Sequence, residues 1–317
     1  MKKITKQLAA IAAVILLFGS LDLSVYEICT KRCLPDQSDG MRAKSIELDN
    51  YLPFDENSDI VDIKADTMLS GNLPVIDSAA ALYPISSAVV NALYPEDSVI
   101  FDGSDFTAES KLQMRNTRTA NKEVVDGGAD IILCAYPSEE QLEYASENNV
   151  ELEFVPIGRE AFVFIVNNEN HVNNISSEQL RDIYSGKIRN WSELGGENIP
   201  INAVDRNEGS GSQSTMLRFM NGEKIRKNPM SFLGSPIGFS FRYYVEGIVD
   251  HGGIKLLSID GSYPDIENIS SENYPIVSNF YAVYNKANDN PNISAVINWI
   301  LSDEGQEMIK NTGYVPL

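Results

Sequence analysis

The chain has 317 residues, of which 45 are Asp or Glu and 25 are Lys or Arg, so its formal net charge is -20. Hydrophobic residues make up 43% and charged residues 22%, which provides enough apolar material for one large or two medium domains. Nucleic-acid-binding proteins usually present a basic face, and this charge balance argues against that class.

The first 28 residues follow the pattern of an export signal. Three lysines among the first six residues precede an apolar run from Leu8 to Phe18, which is the order of a basic region and a hydrophobic region. No small-x-small cleavage site follows the run. Residues 1–28 are therefore either a cleaved signal peptide or a retained membrane anchor. Both alternatives place the rest of the chain outside the cytoplasm, at the cell surface or secreted.

Residues 29–65 are polar, acidic and weakly periodic, which predicts a linker between the N-terminal segment and a folded body. Cys29 and Cys33 lie within this segment, and outside the cell a disulfide between them is possible. Cys134 lies in an apolar run and is expected to be a buried hydrophobic residue. The three cysteines do not have the spacing of a zinc site.

From about residue 66, short apolar runs alternate with helical patterns, which indicates an α/β fold. Ser138 with Gln141, and Ser176 with Gln179, have the spacing of a capping box at a helix start. Asn292 and Ser302 are predicted to cap two helices at the C-terminus. The predicted strands are LPVID, GADIILCAYP, AFVFIVN, INAVDRN and FYAVYN.

Residues 205–220, DRNEGSGSQSTMLRFM, have the features of an anion site. The glycines allow a tight turn that a ligand can approach closely. Ser210 or Ser212 caps the following helix, and the unpaired N–H groups of a helix start, including that of Gly211, attract anions. Arg206 can hold two anion oxygens with its planar guanidinium. An ordinary strand, turn and helix with a surface arginine fits this spacing equally well.

Two further junctions can contribute to the same site. DSAAALYP offers the N–H groups of Ala80 and Ala81 at a helix start, and NTRTANKEVVDGG places Thr117 ahead of a short helix. Each junction alone is typical of an ordinary helix start. Three that open toward one cleft would form a binding site at the carboxyl ends of the strands, where open α/β sheets bind ligands.

A hydrolase is the alternative from a different class. The GSGS turn does not have the G-x-S-x-G pattern of a nucleophile elbow. Neither His171 nor His251 is placed as a catalytic base, and no metal cluster is evident. We therefore expect no catalytic residue, no metal and no cofactor, and a secreted phosphoesterase using Ser210 or Ser212 is disfavoured.

Several long stretches resemble the phosphate-binding proteins of ABC importers, from about Leu73 to Leu317. They are IGREAFVFIVNNENHVNNISSEQLRDIYSGKIRNWSELGG, RNEGSGS, IGFSFRYY, YPIVSNFYAVYN and WILSDEGQEMIKNTGYVPL, and they occur in the same order. The resemblance implies a two-lobed type II periplasmic-binding-protein fold in which two hinge strands join the lobes. Lobe 1 would comprise residues 66–158 plus 275–317, and lobe 2 residues 159–274.

The resemblance also implies the residues that bind the anion. The family's arginine falls on Arg206, its Ser-Gly-Thr turn on residues 210–212, and a serine on Thr117. Two positions depart from the family, because Ala80 replaces a usual threonine and Ala135 a common aspartate. That aspartate accepts the hydrogen of hydrogen phosphate and repels sulfate. Its absence removes this discrimination unless another acceptor takes over.

The resemblance implies a monomeric, extracytoplasmic protein that captures inorganic phosphate and delivers it to the membrane subunits of an ABC permease. The two departures leave alternatives open. The first alternative is a receptor for another oxyanion, such as sulfate or a molybdate-like anion. The second is a sensor or adhesin that kept the fold and lost the ligand.

Overall fold

The computed structural model describes residues 46–226, 234–248 and 253–317. The export segment, the pair Cys29 and Cys33, and His251 lie outside these ranges. No helix within them is both long enough and apolar enough to cross a bilayer.

The described residues form an α/β structure, which confirms the predicted fold class. The strands are β1 (Ile76–Ser78), β2 (Ile131–Ala135), β3 (Leu152–Asn167), β4 (Asn174–Ile175), β5 (Ile201–Ala203), β6 (Ser235–Phe241), β7 (Ile254–Leu256), β8 (Ser258–Ile259) and β9 (Val277–Asn285). The α-helices are α1 (Tyr83–Leu93), α2 (Asn116–Asp126), α3 (Glu139–Glu147), α4 (Ser177–Tyr184), α5 (Gly211–Phe219), α6 (Ile266–Ser270), α7 (Pro291–Ile300) and α8 (Asp303–Thr312).

Within the described ranges, seven strands form one sheet in the order β1-β2-β9-β3-β6-β5, with β7 also paired to β3. Strand β3 links the two halves of this sheet. Its residues 152–161 pair with β9, and its residues 162–167 pair with β6 and β7. One half of the sheet is buried by a core from residues 46–157 and 280–314, and the other by a core mainly from residues 161–274. The long apolar run of β3 is therefore covered in both halves.

The capping predictions are largely confirmed. Ser138 and Gln141 form a complete capping box at α3, as do Ser176 and Gln179 at α4. The hydroxyl of Ser302 accepts a hydrogen bond at the start of α8. The prediction for Asn292 is wrong: α7 begins at Pro291, and the Oδ1 atom of Asn290 accepts from the backbone N–H of Asn292 at 3.1 Å. Proline is favoured at the first helical position, because its missing N–H would have no partner there.

Residues 46–65 lie within the segment predicted as a linker, and in the structure they pack against the core of residues 46–157 and 280–314. Ile46 is only 5% exposed. A short 3-10 helix at Leu48–Tyr51 and the segment after it contribute partly buried apolar side chains to that core. The apolar residues of this segment are too widely spaced to give a periodic signal, and their burial depends on residues far along the chain.

Candidate functional site

A cavity of about 440 Å³ lies where several helix starts meet the strand ends. Its walls come from the junction after β1, the start of α2, the turn before α5 and the strands β3, β6 and β9. All seven residues singled out in the sequence line this cavity: Ala80, Ala81, Thr117, Arg206, Ser210, Gly211 and Ser212.

The turn before α5 presents a helix N-terminus to the cavity. Ser210 is the N-cap of α5, and its hydroxyl accepts from the backbone N–H of Gln213 at 3.2 Å. The Gln213 side chain accepts in turn from the backbone N–H of Arg206 at 2.9 Å. Gly209 has a φ of +75°, a left-handed conformation that glycine adopts without strain. This network fixes the backbone of Arg206 beside the positive end of the helix.

Close packing explains the glycine at the first position of α5. A Cβ added at Gly211 would lie 3.3 Å from the Cβ of Ala135 and 3.9 Å from the Oγ1 of Thr117. The α5 turn and the β2 end therefore approach each other closely, and a side chain at Gly211 would be crowded against Ala135. Ala135 is 7% exposed and lines the cavity, so its position carries no carboxylate toward the ligand space.

The other two junctions also present helix starts. Asn116 has a φ of +70°, and its Oδ1 accepts from the backbone N–H groups of Arg118 and Thr119. This local cap leaves Thr117 at the cavity wall. A 3-10 helix at Ala80–Leu82 leads into α1, and the Ala81 carbonyl accepts from the Tyr314 hydroxyl.

Arg206 is half-buried at the cavity wall, beside Tyr244. Burial raises the pKa of Tyr244, whereas the charge of Arg206 and a hydrogen bond from it lower that pKa. The guanidinium therefore lies close to this hydroxyl, within the space where an anion would need a counter-charge.

The side chains that sequence reasoning missed include Glu160 of β3, which is 3% exposed and also lines the cavity. Its carboxylate lies 3.3 Å from the Nε of Arg242, a pair that is buried on both sides. One signal was available, because a charged residue interrupts the apolar strand pattern in GREAFVFIVN. Its partner lies 82 positions away in the sequence, so the pattern did not reveal the pairing.

Contacts at one edge of the cavity join α5 to the loop after β2. Arg218 donates to the carbonyl oxygens of Tyr136 at 3.2 Å and Pro137 at 3.3 Å. Its guanidinium also lies 5.4 Å from the centre of the Tyr136 ring. The Nε2 of Gln141 donates to the Gly209 carbonyl at 3.2 Å. These contacts hold the two walls together at this edge.

Of the two histidines, His171 is the one within the described residues. His171 is exposed, with its Nδ1 at 3.8 Å from a carboxylate oxygen of Glu197, and it does not line the cavity. His251 lies outside the described ranges.

Comparisons with known proteins agree with this architecture. The chain is 28% identical over 178 residues to the phosphate-binding protein PstS of Borreliella burgdorferi, covering 49% of this chain and 63% of that protein. It is 24% identical over 263 residues to PstS of Bacillus subtilis, covering 80% of this chain and 83% of that one. A phosphate-bound putative phosphate ABC transporter substrate-binding protein from Clostridium perfringens shares the fold, with 22% identity, a TM-score of 0.58, and coverage of 76% of this chain and 98% of that one.

The model of a PBP superfamily domain matches residues 103–304, well over half of the chain. This range includes most of the cavity wall, with both the α2 and the α5 helix starts. The chain therefore belongs to the PBP superfamily.

Proposed function

We propose that this chain is an extracytoplasmic solute-binding protein that captures inorganic phosphate and delivers it to the membrane subunits of an ABC importer. One observation carries the proposal: three helix starts and Arg206 converge on a single cavity. The names of the relatives, which are phosphate-binding proteins, support the same ligand.

The cavity can hold an anion despite the net charge of -20. Arg206 is half-buried and supplies a full positive charge, whereas Arg118, the other arginine of the wall, is exposed. The planar guanidinium of Arg206 suits two oxygens of a tetrahedral anion. The N–H groups of Gly211 and Ser212 lie at the positive end of α5. Hydroxyls of Ser210 and Thr117 add neutral donors. Charges on the outer surface are screened over roughly 8–10 Å at physiological salt, so they do not cancel this local field.

The N–H groups of Ala80 and Ala81 complete the proposed ligand set from the opposite wall. These backbone donors replace the hydroxyl that a threonine would provide at position 80. Because backbone N–H groups remain when the side chain is lost, this wall keeps part of its donor capacity.

We further propose that two lobes, residues 66–158 plus 275–317 and residues 159–274, close on the anion as a monomer. Strands β3 and β9 lie at the boundary between these ranges, which is where hinge bending would occur. Residues 1–28 would direct the chain out of the cytoplasm and, if retained, hold it at the membrane.

Replacing Arg206 tests the proposal. Arg206→Ala should remove about 2–5 kcal/mol of phosphate affinity, because a buried anion would lose its paired cation. Titration calorimetry of the purified protein with phosphate measures this loss. Arg189→Ala is the control, because it removes an exposed cation that does not line the cavity. Unchanged binding by Arg206→Ala would place the phosphate site elsewhere.

A further inference from the structure

Glu160 is a buried acid in the wall of a cavity built to hold an anion. The other acidic residue of the wall, Glu208, is exposed to solvent. A buried carboxylate beside an anion is unfavourable unless a hydrogen atom lies between the two. A buried carboxylate at this position therefore favours an anion that carries a hydrogen atom over one that does not.

Donors among the described residues leave one acceptor position of the Glu160 carboxylate open. Its Oε1 accepts from the backbone N–H of Ala161 at 2.8 Å and from the Nε of Arg242 at 3.3 Å. Its Oε2 accepts from the backbone N–H of Tyr243 at 3.1 Å. An ionised carboxylate has about four acceptor positions. Three are occupied by protein donors, so the remaining position belongs to Oε2.

The charged neighbours of Glu160 do not fully neutralise it. Arg242, at the end of β6, also pairs with Glu246 at 2.8 Å and donates to the Gly313 carbonyl. Its charge is thus shared between two carboxylates. Arg206 lies in the cavity wall contributed by the loop after β5.

The titrating groups packed nearest are tyrosines. Tyr243 and Tyr314 stack with ring centres 4.2 Å apart, and burial raises the pKa of both. They are therefore neutral near pH 7. Burial also raises the pKa of Glu160 to about 7, although Arg242 and the two backbone N–H groups act to lower it.

We propose that Glu160 is the specificity-determining acceptor of this cavity. Its Oε2 accepts the hydrogen of a singly protonated tetrahedral oxyanion, such as hydrogen phosphate or hydrogen arsenate, and the carboxylate repels sulfate, which has no hydrogen to share. Glu160 thereby takes the place of the acceptor that Ala135 lacks. The inference rests on the proposed phosphate site.

The two anions should respond differently to pH. Sulfate needs Glu160 in its protonated form, so its affinity falls by about tenfold for each pH unit above the pKa of about 7. Hydrogen phosphate carries its own hydrogen and meets the ionised carboxylate, so its affinity is retained above that pH. Above pH 7 both anions are mainly dianions. The electrostatic effect of the other charges of the protein is therefore similar for both and cancels in the ratio of their affinities.

The experiment is calorimetric titration of the full chain with sodium phosphate and sodium sulfate from pH 7 to 9 at constant ionic strength. For the wild type, the phosphate-to-sulfate affinity ratio should rise about tenfold per pH unit. In Glu160→Gln the ratio should no longer change with pH, and sulfate should bind more tightly than to the wild type at pH 8. Glu178→Gln, which removes an exposed acid that does not line the cavity, should behave as the wild type.

The outcomes separate the two proposals. Phosphate binding with a constant ratio in the wild type, or an unchanged slope in Glu160→Gln, overturns the role of Glu160 alone. No phosphate binding by the wild type overturns the proposed function and this inference with it. The wild-type series requires no variant, so misfolding of Glu160→Gln would leave the test decisive.

Discussion

Removing the Arg218 side chain should open the cavity at the edge where α5 meets the loop after β2. In the structure, its guanidinium donates to the carbonyl oxygens of Tyr136 and Pro137 and lies over the Tyr136 ring. These contacts exist only while the two walls are together. Arg218→Ala should therefore destabilise the closed state and leave the open state unchanged.

The magnitude follows from the contacts. Each hydrogen bond contributes about 0.5–1.5 kcal/mol, and a cation–π contact at an exposed site about 0.5–1 kcal/mol. Arg218 is exposed, so solvent screening places each term at the low end. The total is about 1.5 kcal/mol, which corresponds to roughly tenfold in the equilibrium between closed and open states.

Two assays measure the effect. Calorimetry of Arg218→Ala should show phosphate affinity reduced by up to roughly tenfold. Small-angle scattering without ligand should show a larger radius of gyration than for the wild type. Leu217→Ala is the matched control, because Leu217 is the neighbouring residue of α5 and is 52% exposed. If Arg218→Ala keeps the wild-type affinity and the wild-type scattering curve, these contacts do not stabilise closure.

Three further results are expected. Gly209→Ala should lose about 1–2 kcal/mol of stability because of its left-handed backbone. It should also weaken phosphate binding in calorimetry. The control is Gly71→Ala, at φ +80° with open space around it, which should lower stability without changing phosphate affinity. Equal phosphate affinity in both variants would contradict a role of the Gly209 turn in binding. Ala135→Asp should make phosphate affinity fall as pH rises above neutrality, since Glu160 already takes the one hydrogen of hydrogen phosphate and the added carboxylate is left to repel the dianion; a pH-independent affinity would refute this. The folded-state pKa of Glu160 is raised to about 7, so its stabilising contribution is present below its unfolded pKa and is lost as pH rises through 7. Melting curves should therefore show Glu160→Gln gaining stability relative to the wild type from pH 5 to 8. A constant difference in stability between the two proteins would argue against a raised pKa.

Short-range sequence patterns predicted the helix starts that depend on hydrogen bonds between neighbouring residues. Ser138 and Ser176 cap their helices because the capping residue and its partner lie three positions apart, within one turn. The same kind of reasoning failed at Asn292, because Pro291 takes the first helical position and the cap is therefore Asn290, two residues before the predicted one.

The candidate site was predictable for a related reason. Its donors sit at helix starts, and helix starts carry local signals such as the glycines and serines of residues 209–212. The residues that depend on distant contacts were not predictable in this way. Glu160 is buried because Arg242 reaches it from another strand, and Arg218 meets Tyr136 only after the two walls come together. No short-range pattern encodes either pairing.

We expect one oxyanion to bind between Arg206 and the start of α5. The most direct measurement is a crystal structure of the protein with arsenate, in which anomalous scattering from arsenic locates the anion independently of the surrounding density. We expect one arsenic peak in the cavity, with arsenate oxygens about 2.7–3.2 Å from the Arg206 guanidinium and from the backbone N–H groups of Gly211 and Ser212. A cavity without an arsenic peak at saturating arsenate, or a peak remote from Arg206, would contradict the account.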